Sequence, residues 1–288
     1  MPTTDRRRRR RGRRPGWVTA LVAVVVLALV VVVGRAVLER GRSLLPPSCV
    51  VASGGVEVDL DPEQARHAAL VGAVAVRRKL PVRAATIAMA TAMQESKLRN
   101  LDHGDRDSLG LFQQRPSQGW GTAAQVSDPR YATETFYSHL VKVRDYRNRP
   151  LTEVAQAVQR SGFPDAYAKH EREAAVLAGA FMGRVPRAVT CTSGDDAPGA
   201  VPGTAGELAR EVDDVFGVRA TVSSGGFTVG TDSTEGAAAI AAWAVAHAPD
   251  RRIAGVTSQG WTWTAGSRAA WARGGDADAR TTAVALRR

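Results

Sequence analysis

The segment from Trp17 to Val33 reads WVTALVAVVVLALVVVV, seventeen residues without a charge. As a helix it would be ~26 Å long at ~1.5 Å per residue, close to the ~30 Å hydrocarbon thickness of a bilayer. It follows directly on a basic run, Arg6 to Arg11 with Arg13 and Arg14. Uncleaved anchors and cleaved signal peptides share that arrangement. No small-x-small cleavage pattern follows Val33, where Gly34, Arg35 and further charged residues stand instead. The reading is therefore one transmembrane helix over residues 17–34. By the positive-inside rule, residues 1–16 become a basic cytoplasmic tail, and all that follows the helix lies outside the cell.

The net charge of +11 belongs almost wholly to this end of the chain. Residues 1–43 hold eleven arginines against Asp5 and Glu39, leaving only +2 for the other 245 residues. Nucleic-acid binders spread such charge over a folded surface. The arginine run reads as a topology signal, and no nucleic-acid partner is expected. At 288 residues the chain has room for two modest domains besides its N-terminal segment.

Cys49 and Cys191 bracket the first segment with folded character. An oxidising exterior permits a disulfide between them. A lipid-modified Cys49 competes with that reading, but Pro46, Pro47 and Ser48 precede the cysteine and the apolar run ends well upstream. Residues 35–60 read as a juxtamembrane linker. At Asp61-Pro62 an aspartate precedes a proline, which suits a helix N-cap followed by Pro at the first helical position. Apolar spacing near 3.6 and breaks at Pro81, Pro150 and Pro164 predict helices at roughly 62–79, 83–97, 130–146, 151–160 and 166–182, within a domain spanning 61–183. Residues 184–205, rich in Pro, Gly, Ser and Thr, read as a linker. Residues 206–288 mix a helical start, a hairpin around Ser223–Gly226, a helix near 235–248 and strands near 252–257, 260–264 and 281–286, which predicts a small α+β domain. Trp261, Trp263 and Trp271 in it are either a carbohydrate-binding surface or packing of a small domain.

In the helix ending IAMATAMQES, Glu95 follows Ile87 by eight residues, Thr91 by four and Ala92 by three, so it shares their face. Partial desolvation and the negative end of the helix dipole both favour a protonated carboxyl, which a general acid near neutral pH requires. An ordinary glutamate near a helix end is the competing reading. Nine residues on begins GDRDSLGLFQQRPSQGWG. The pair Glu95-Ser96 with Ser108-Leu109-Gly110-Leu111-Phe112-Gln113 resembles the lysozyme-like lytic transglycosylases and goose-type lysozymes, in which a helix ending in Glu-Ser is followed by a Ser/Gly-x-Gly-Leu-x-Gln hairpin.

The resemblance spans Gln64 to Gly183. It implies that Glu95 protonates the glycosidic oxygen between N-acetylmuramic acid and N-acetylglucosamine, then acts as base toward the muramoyl C6 hydroxyl to leave a 1,6-anhydro end. It also implies that Gln113 lies beside the sugar, that Ser96 and Ser108 sit near the glutamate, and that an aromatic on a late helix, Tyr167, faces it. Trp120 could stack on a sugar face or pack in the core. Gln114, Arg115-Pro116 and the acidic GDRD stretch depart from the family pattern, which leaves the outcome open between anhydro product and hydrolysis. A second carboxylate, with Asp105 and Asp107 as candidates beside Asp102, would be needed for hydrolysis with retention or inversion, although aspartates in such a loop are ordinarily turn residues.

The five histidines, His67, His103, His139, His170 and His247, are scattered without HxxxH or HExxH spacing, so neither a metal nor a cofactor is expected. The expected fold is a mainly α lysozyme-like domain, preceded by one transmembrane helix and followed by a small α+β domain. The expected partners are peptidoglycan glycan strands and the membrane, with a non-catalytic wall-binding scaffold as the alternative function.

Overall fold

The computed structural model describes residues 16–43, 46–160, 164–192, 203–274 and 278–287. The basic tail up to residue 15 and residues 193–202 of the expected linker lie outside these. The chain divides into two units, residues 1–45 and residues 46–288. In the first, helix α1 (Gly16–Ser43) contains the apolar run.

In the second unit the chain opens with a hairpin, β1 (Cys49–Ser53) and β2 (Val56–Leu60). Gly54 and Gly55 turn it with φ of 58° and 75°, a conformation that other residues adopt only under strain. Asp61 then caps α2 (Pro62–Arg77) in a capping box: Gln64 N donates to the Asp61 side chain and Asp61 N to the Gln64 side chain, each at 3.0 Å. Helices α3 (Val82–Ser96), α4 (Ala123–Val126), α5 (Pro129–Leu140) and α6 (Leu151–Gln159) follow, then a 3-10 turn (Pro164–His170) that leads into α7 (Glu171–Phe181). Small side chains let these helices approach closely. A Cβ placed on Gly72 of α2 would stand 2.6 Å from Phe181 Cβ of α7, well inside van der Waals contact.

Strand β3 (Val189–Cys191) brings the chain back to β1 and completes a three-stranded sheet of order β2-β1-β3. The register sets Cys49 opposite Cys191, and the two form a disulfide. The rest of the unit is α8 (Ala205–Phe216), β4 (Ala220–Ser223), β5 (Gly226–Gly230), α9 (Thr234–His247), β6 (Ile253–Ser258), β7 (Trp261–Thr264), β8 (Ala270–Arg273) and β9 (Thr281–Leu286). Its six strands form an antiparallel sheet of order β4-β5-β9-β6-β7-β8. Helix α9 is apolar on every side and buried from Ala237 to His247, because it packs against α2 and α7 as well as against β6 and β9. Arg66 pairs with Asp250, and Arg77 and Arg130 both donate to the Asp214 carbonyl at 2.7 Å, so the helical part and the six-stranded sheet share one compact body.

Two expectations about architecture are corrected. The fold is mixed α/β, about 49% helix and 19% strand in two sheets, rather than a mainly α domain with a small α+β appendage. The first sheet went unread because its strands are only three to five residues long and because β1 is buried by a partner far along the chain. Among the described residues, moreover, no helix is long and apolar enough to cross a membrane, which overturns the transmembrane helix expected over 17–34. Helix α1 runs on past the uncharged segment through Arg35, Glu39, Arg40 and Arg42, so charged residues share the helix with the apolar run.

The tryptophans of the C-terminal sheet are engaged in packing. Trp263 is fully buried, Trp271 Nε1 donates to the Val189 carbonyl of β3 at 2.9 Å, and the Trp261 ring has the Arg187 and Arg273 guanidinium groups 4.5 and 5.5 Å from its centre.

Candidate active site

Helix α3 buries nearly its whole length, and Glu95 stands in its last turn. The helix ends because Lys97 and Leu98 both turn left-handed, with φ of 56° and 61°. Leu98 enters the core, and the chain folds back as the loop 99–115. Two short antiparallel bridges, Leu101 with Gly110 and Leu109 with Gln114, close that loop. Gly110 is required there. It has φ of 78° and a Cβ would collide with the Val126 carbonyl oxygen. Ser96 Oγ donates to the Leu111 carbonyl at 2.6 Å, tying the loop to the end of α3. Phe112 is buried and stacked on Phe136 at 4.7 Å between ring centres. The Gln114 amide, also buried, donates to the Ala132 carbonyl.

The loop and three helices thereby enclose Glu95. Tyr167, fully buried in the 3-10 turn before α7, donates its hydroxyl to Glu95 Oε1 at 2.6 Å. Gln159, the last residue of α6, donates Nε2 to the Phe112 carbonyl at 2.7 Å, and its side chain also hydrogen-bonds the Glu95 carboxyl. Burial pushes the Glu95 carboxyl above the ordinary glutamate range, and the hydrogen bonds from Tyr167 and Gln159 offset part of that rise. The result is a half-buried acid that keeps its proton at higher pH than a solvated glutamate.

Gln159 also lines a cleft of about 500 Å3, whose other walls include Trp120, His139, Lys142, Val143 and Arg160. No protein-family model matches this chain, and no curated protein matches it.

The structure brings some of the expected site residues together and separates others. Tyr167 is in direct contact with Glu95. Ser96 is a tether between helix and loop, its hydroxyl used on the Ala92 and Leu111 carbonyls. Ser108 is buried in the loop, its backbone N–H donating to the Asp105 carbonyl. Gln113, at φ 48°, folds its amide across its own loop and donates to the His103 and Gly110 carbonyls at 3.2 Å each. Trp120 lines the cleft, yet its ring is stacked on His139 at 4.4 Å and the residue is nearly buried.

Of the candidate second carboxylates, Asp107 accepts from Arg115 Nε, Ser117 N and Ser117 Oγ at 2.7 to 2.9 Å. These donors hold its carboxyl far below the usual aspartate range, the backbone N–H of Ser117 most of all. It is an ionised anchor for the RPS turn, not an acid. Asp105 is exposed, 4.0 Å from Arg106, and Asp102 pairs with His103. Among the described residues no cluster of His, Cys, Asp and Glu forms that could hold a metal ion.

Gln159 is the residue that sequence reasoning missed. The buried face of α6 runs Leu151, Val154, Ala155, Val158, and Gln159 continues that apolar stripe. A polar side chain on a core-facing stripe needs a buried partner, which is the signal that could have singled it out.

Proposed function

We propose that this protein cleaves glycosidic bonds of the cell-wall glycan, with Glu95 as general acid and then base. The observation that carries the reading is the Glu95–Tyr167 pair, joined through the Gln159 side chain to the cleft that Gln159 lines. Tyr167 holds Oε1 as an acceptor, so the dissociable proton falls to the other carboxyl oxygen, and burial raises the pH at which that proton is lost. Such an acid can protonate a leaving glycosidic oxygen and, once ionised, is stabilised by the same two donors while it takes a proton from an attacking hydroxyl. The resemblance of Glu95-Ser96 and Ser108 to Gln113 to lytic transglycosylases and goose-type lysozymes supports the same chemistry and names the MurNAc–GlcNAc bond as its target. A single-glutamate transglycosylase route is favoured over two-carboxylate hydrolysis, since Asp107 is committed to Arg115 and Ser117 and Asp105 is solvated. The Cys49–Cys191 disulfide supports a location outside the cell, where thiols oxidise.

The test is digestion of purified sacculi by the full chain and by Glu95→Gln, with mass spectrometry of what is released. The reading expects soluble muropeptides with 1,6-anhydro ends from the wild type and none from the variant, both folded by circular dichroism. Reducing ends would replace the transglycosylase step with hydrolysis. A wild-type protein that binds sacculi yet releases nothing across pH and wall types would leave a wall-binding scaffold in place of an enzyme.

A further inference from the structure

Just past Glu95 the backbone of α3 reverses in a way that its own sequence does not favour. Lys97 takes the left-handed position that closes the helix, its N–H donating to the Met93 carbonyl and that of Leu98 to the Ala92 carbonyl, each at 3.1 Å. Glycine is the usual residue there. Leu98, whose bulky side chain is buried, is left-handed as well, with φ of 61°. Backbone of this kind persists only where surrounding groups hold it, and it gathers at active sites. Side chains from the start of α2 do the holding. Gln64 Nε2 donates to the Lys97 carbonyl at 2.9 Å and His67 Nδ1 to the Leu98 carbonyl at 2.7 Å. Asp61 and Glu63 accept from the Arg99 guanidinium, and Glu63 also accepts from Asn100 N at 3.1 Å. Gln64 and His67 are three residues apart and so share a face of α2, and their bonds fall on the two left-handed residues. A carbonyl oxygen only accepts, which places the His67 proton on Nδ1. The same imidazole lines a cavity of about 300 Å3 together with Glu211 of α8 and Trp243 and His247 of α9, so it is a point where the C-terminal part of the body meets the end of α3.

We infer that His67, together with Gln64, is a positioning residue for Glu95: its bond to the Leu98 carbonyl fixes the reversal, and the reversal fixes the last turn of α3 that carries the acid. The path is short. From Leu98 the chain runs back through Lys97 and Ser96 to Glu95, and Ser96 Oγ ties that turn to the Leu111 carbonyl of the loop beside it. Without the His67 donor the reversal relaxes toward conformations that Lys97 and Leu98 adopt more readily, and the carboxyl moves relative to Tyr167 and Gln159. The effect on rate rests on the proposed reading of Glu95 as acid and base. The effect on the surroundings of the carboxyl does not.

The experiment compares His67→Phe and His67→Asn in the full chain. Phenylalanine keeps a ring but has no donor, whereas asparagine loses the ring and sets its Nδ2 donor where the imidazole Nδ1 stands. Two quantities are read: the titration of the Glu95 carboxyl, followed by its 13C resonance, and kcat and KM on purified sacculi. In His67→Phe the Glu95 titration is expected to move down toward the ordinary glutamate range, because burial is the larger influence on this carboxyl and its two hydrogen bonds the smaller. In the same variant kcat should fall about tenfold with KM within about twofold, as misplacement of a reacting group predicts. His67→Asn should restore both quantities despite its smaller side chain. Gln64→Glu keeps an acceptor for the Asp61 N–H that caps α2 but loses the donor to Lys97, so it should move both quantities the same way, with kcat down about threefold. Should His67→Phe not fold, Gln64→Glu decides on the same two readings. An unchanged titration and kcat in the folded variants, or a loss that His67→Asn does not restore, would overturn the inference. The two proposals fail separately. A chain that leaves sacculi intact, yet shifts its Glu95 titration in His67→Phe and recovers it in His67→Asn, keeps this inference and loses the enzymatic reading. One that cuts sacculi equally well with and without the His67 donor does the opposite.

Discussion

Replacing Tyr167 by Phe isolates the contact on which the proposed chemistry depends. The variant removes one oxygen from a fully buried ring and with it the 2.6 Å hydrogen bond to Glu95 Oε1, while ring packing is preserved. A bond of that kind is worth ~1.5–3 kcal/mol to an ionised carboxylate and ~0.5–1.5 kcal/mol to a neutral acid. Its loss therefore penalises the ionised form by ~1–1.5 kcal/mol more than the neutral one, about a tenfold change in the ionisation equilibrium. Glu95 already holds its proton above the usual range through burial, and Tyr167 opposes that rise. The sign is thus upward: without Tyr167 the acid keeps its proton to higher pH still. The assay is the pH profile of kcat/KM for release of soluble fragments from purified sacculi. The alkaline limb should move to higher pH, and the maximal rate should fall ~10–100-fold, because the carboxyl loses the group that orients it. Thermal unfolding should show a loss of ~1–2 kcal/mol. A limb that stays in place or moves to lower pH would refute the reasoning, because the hydrogen bond could not then be stabilising the carboxylate.

Other expectations follow from the same geometry. Because burial raises the Glu95 carboxyl, the folded state binds the proton more tightly than the unfolded chain, and this residue's contribution to stability falls as pH rises through the window above the ordinary glutamate range; Glu95→Gln should raise the melting temperature at pH 8 relative to wild type, with the gap closing toward pH 4. Asp107 has the opposite sign: its stabilisation is present above the ordinary aspartate range and is lost as pH falls below it, so Asp107→Asn should flatten the acid side of the unfolding curve and loosen the RPS turn, seen as faster amide exchange at Ser117, while leaving Glu95-dependent turnover measurable. Replacing both Cys49 and Cys191 by Ser opens a loop of sequence separation 142 and should cost up to ~4–5 kcal/mol in urea titrations by the loop-entropy argument. Gly110→Ala forces a side chain onto the Val126 carbonyl at a positive φ, and a loss of ~2–4 kcal/mol is expected in the same titrations.

Much of the helical framework was legible in the chain. Asp61-Pro62, with Gln64 at the third helical position, announces the start of α2 through bonds that span three residues. The spacing of Ile87, Thr91 and Ala92 from Glu95 predicts the buried face that α3 presents. The expected helix at 130–146 ends early, at Leu140, with turns beyond it, and that expected from 166 begins as a 3-10 turn. End effects of this kind depend on what packs against the last turn. The hairpin of β1 and β2 carried a local signal, alternating residues about Gly54-Gly55, but its buried Val51 stands opposite Val189 of β3, a pairing between distant parts of the chain. The apolar run of α1 shows the reverse: its hydropathy was plain in the sequence, yet among the described residues no helix is long and apolar enough to cross a membrane.

For the site, the sequence by itself determined that residue 95 is a carboxyl on a buried helical face, that a Gly-containing loop follows it, and that two cysteines flank the region. Those are properties of neighbours within a turn or two, where backbone geometry leaves little choice. Only the tertiary structure decided that Tyr167, 72 residues away, donates to Glu95, that Gln159 joins the acid to the cleft, that Gln113 spends its amide on its own loop, and that Asp107 is an anchor. Each of those outcomes depends on which distant segments share one packed volume, and chain separation carries no local signature of that choice. Two glutamines differing by one turn of backbone or one loop closure have the same sequence signal, and the hydrogen bonds left available to them after packing settle which of them faces the cleft.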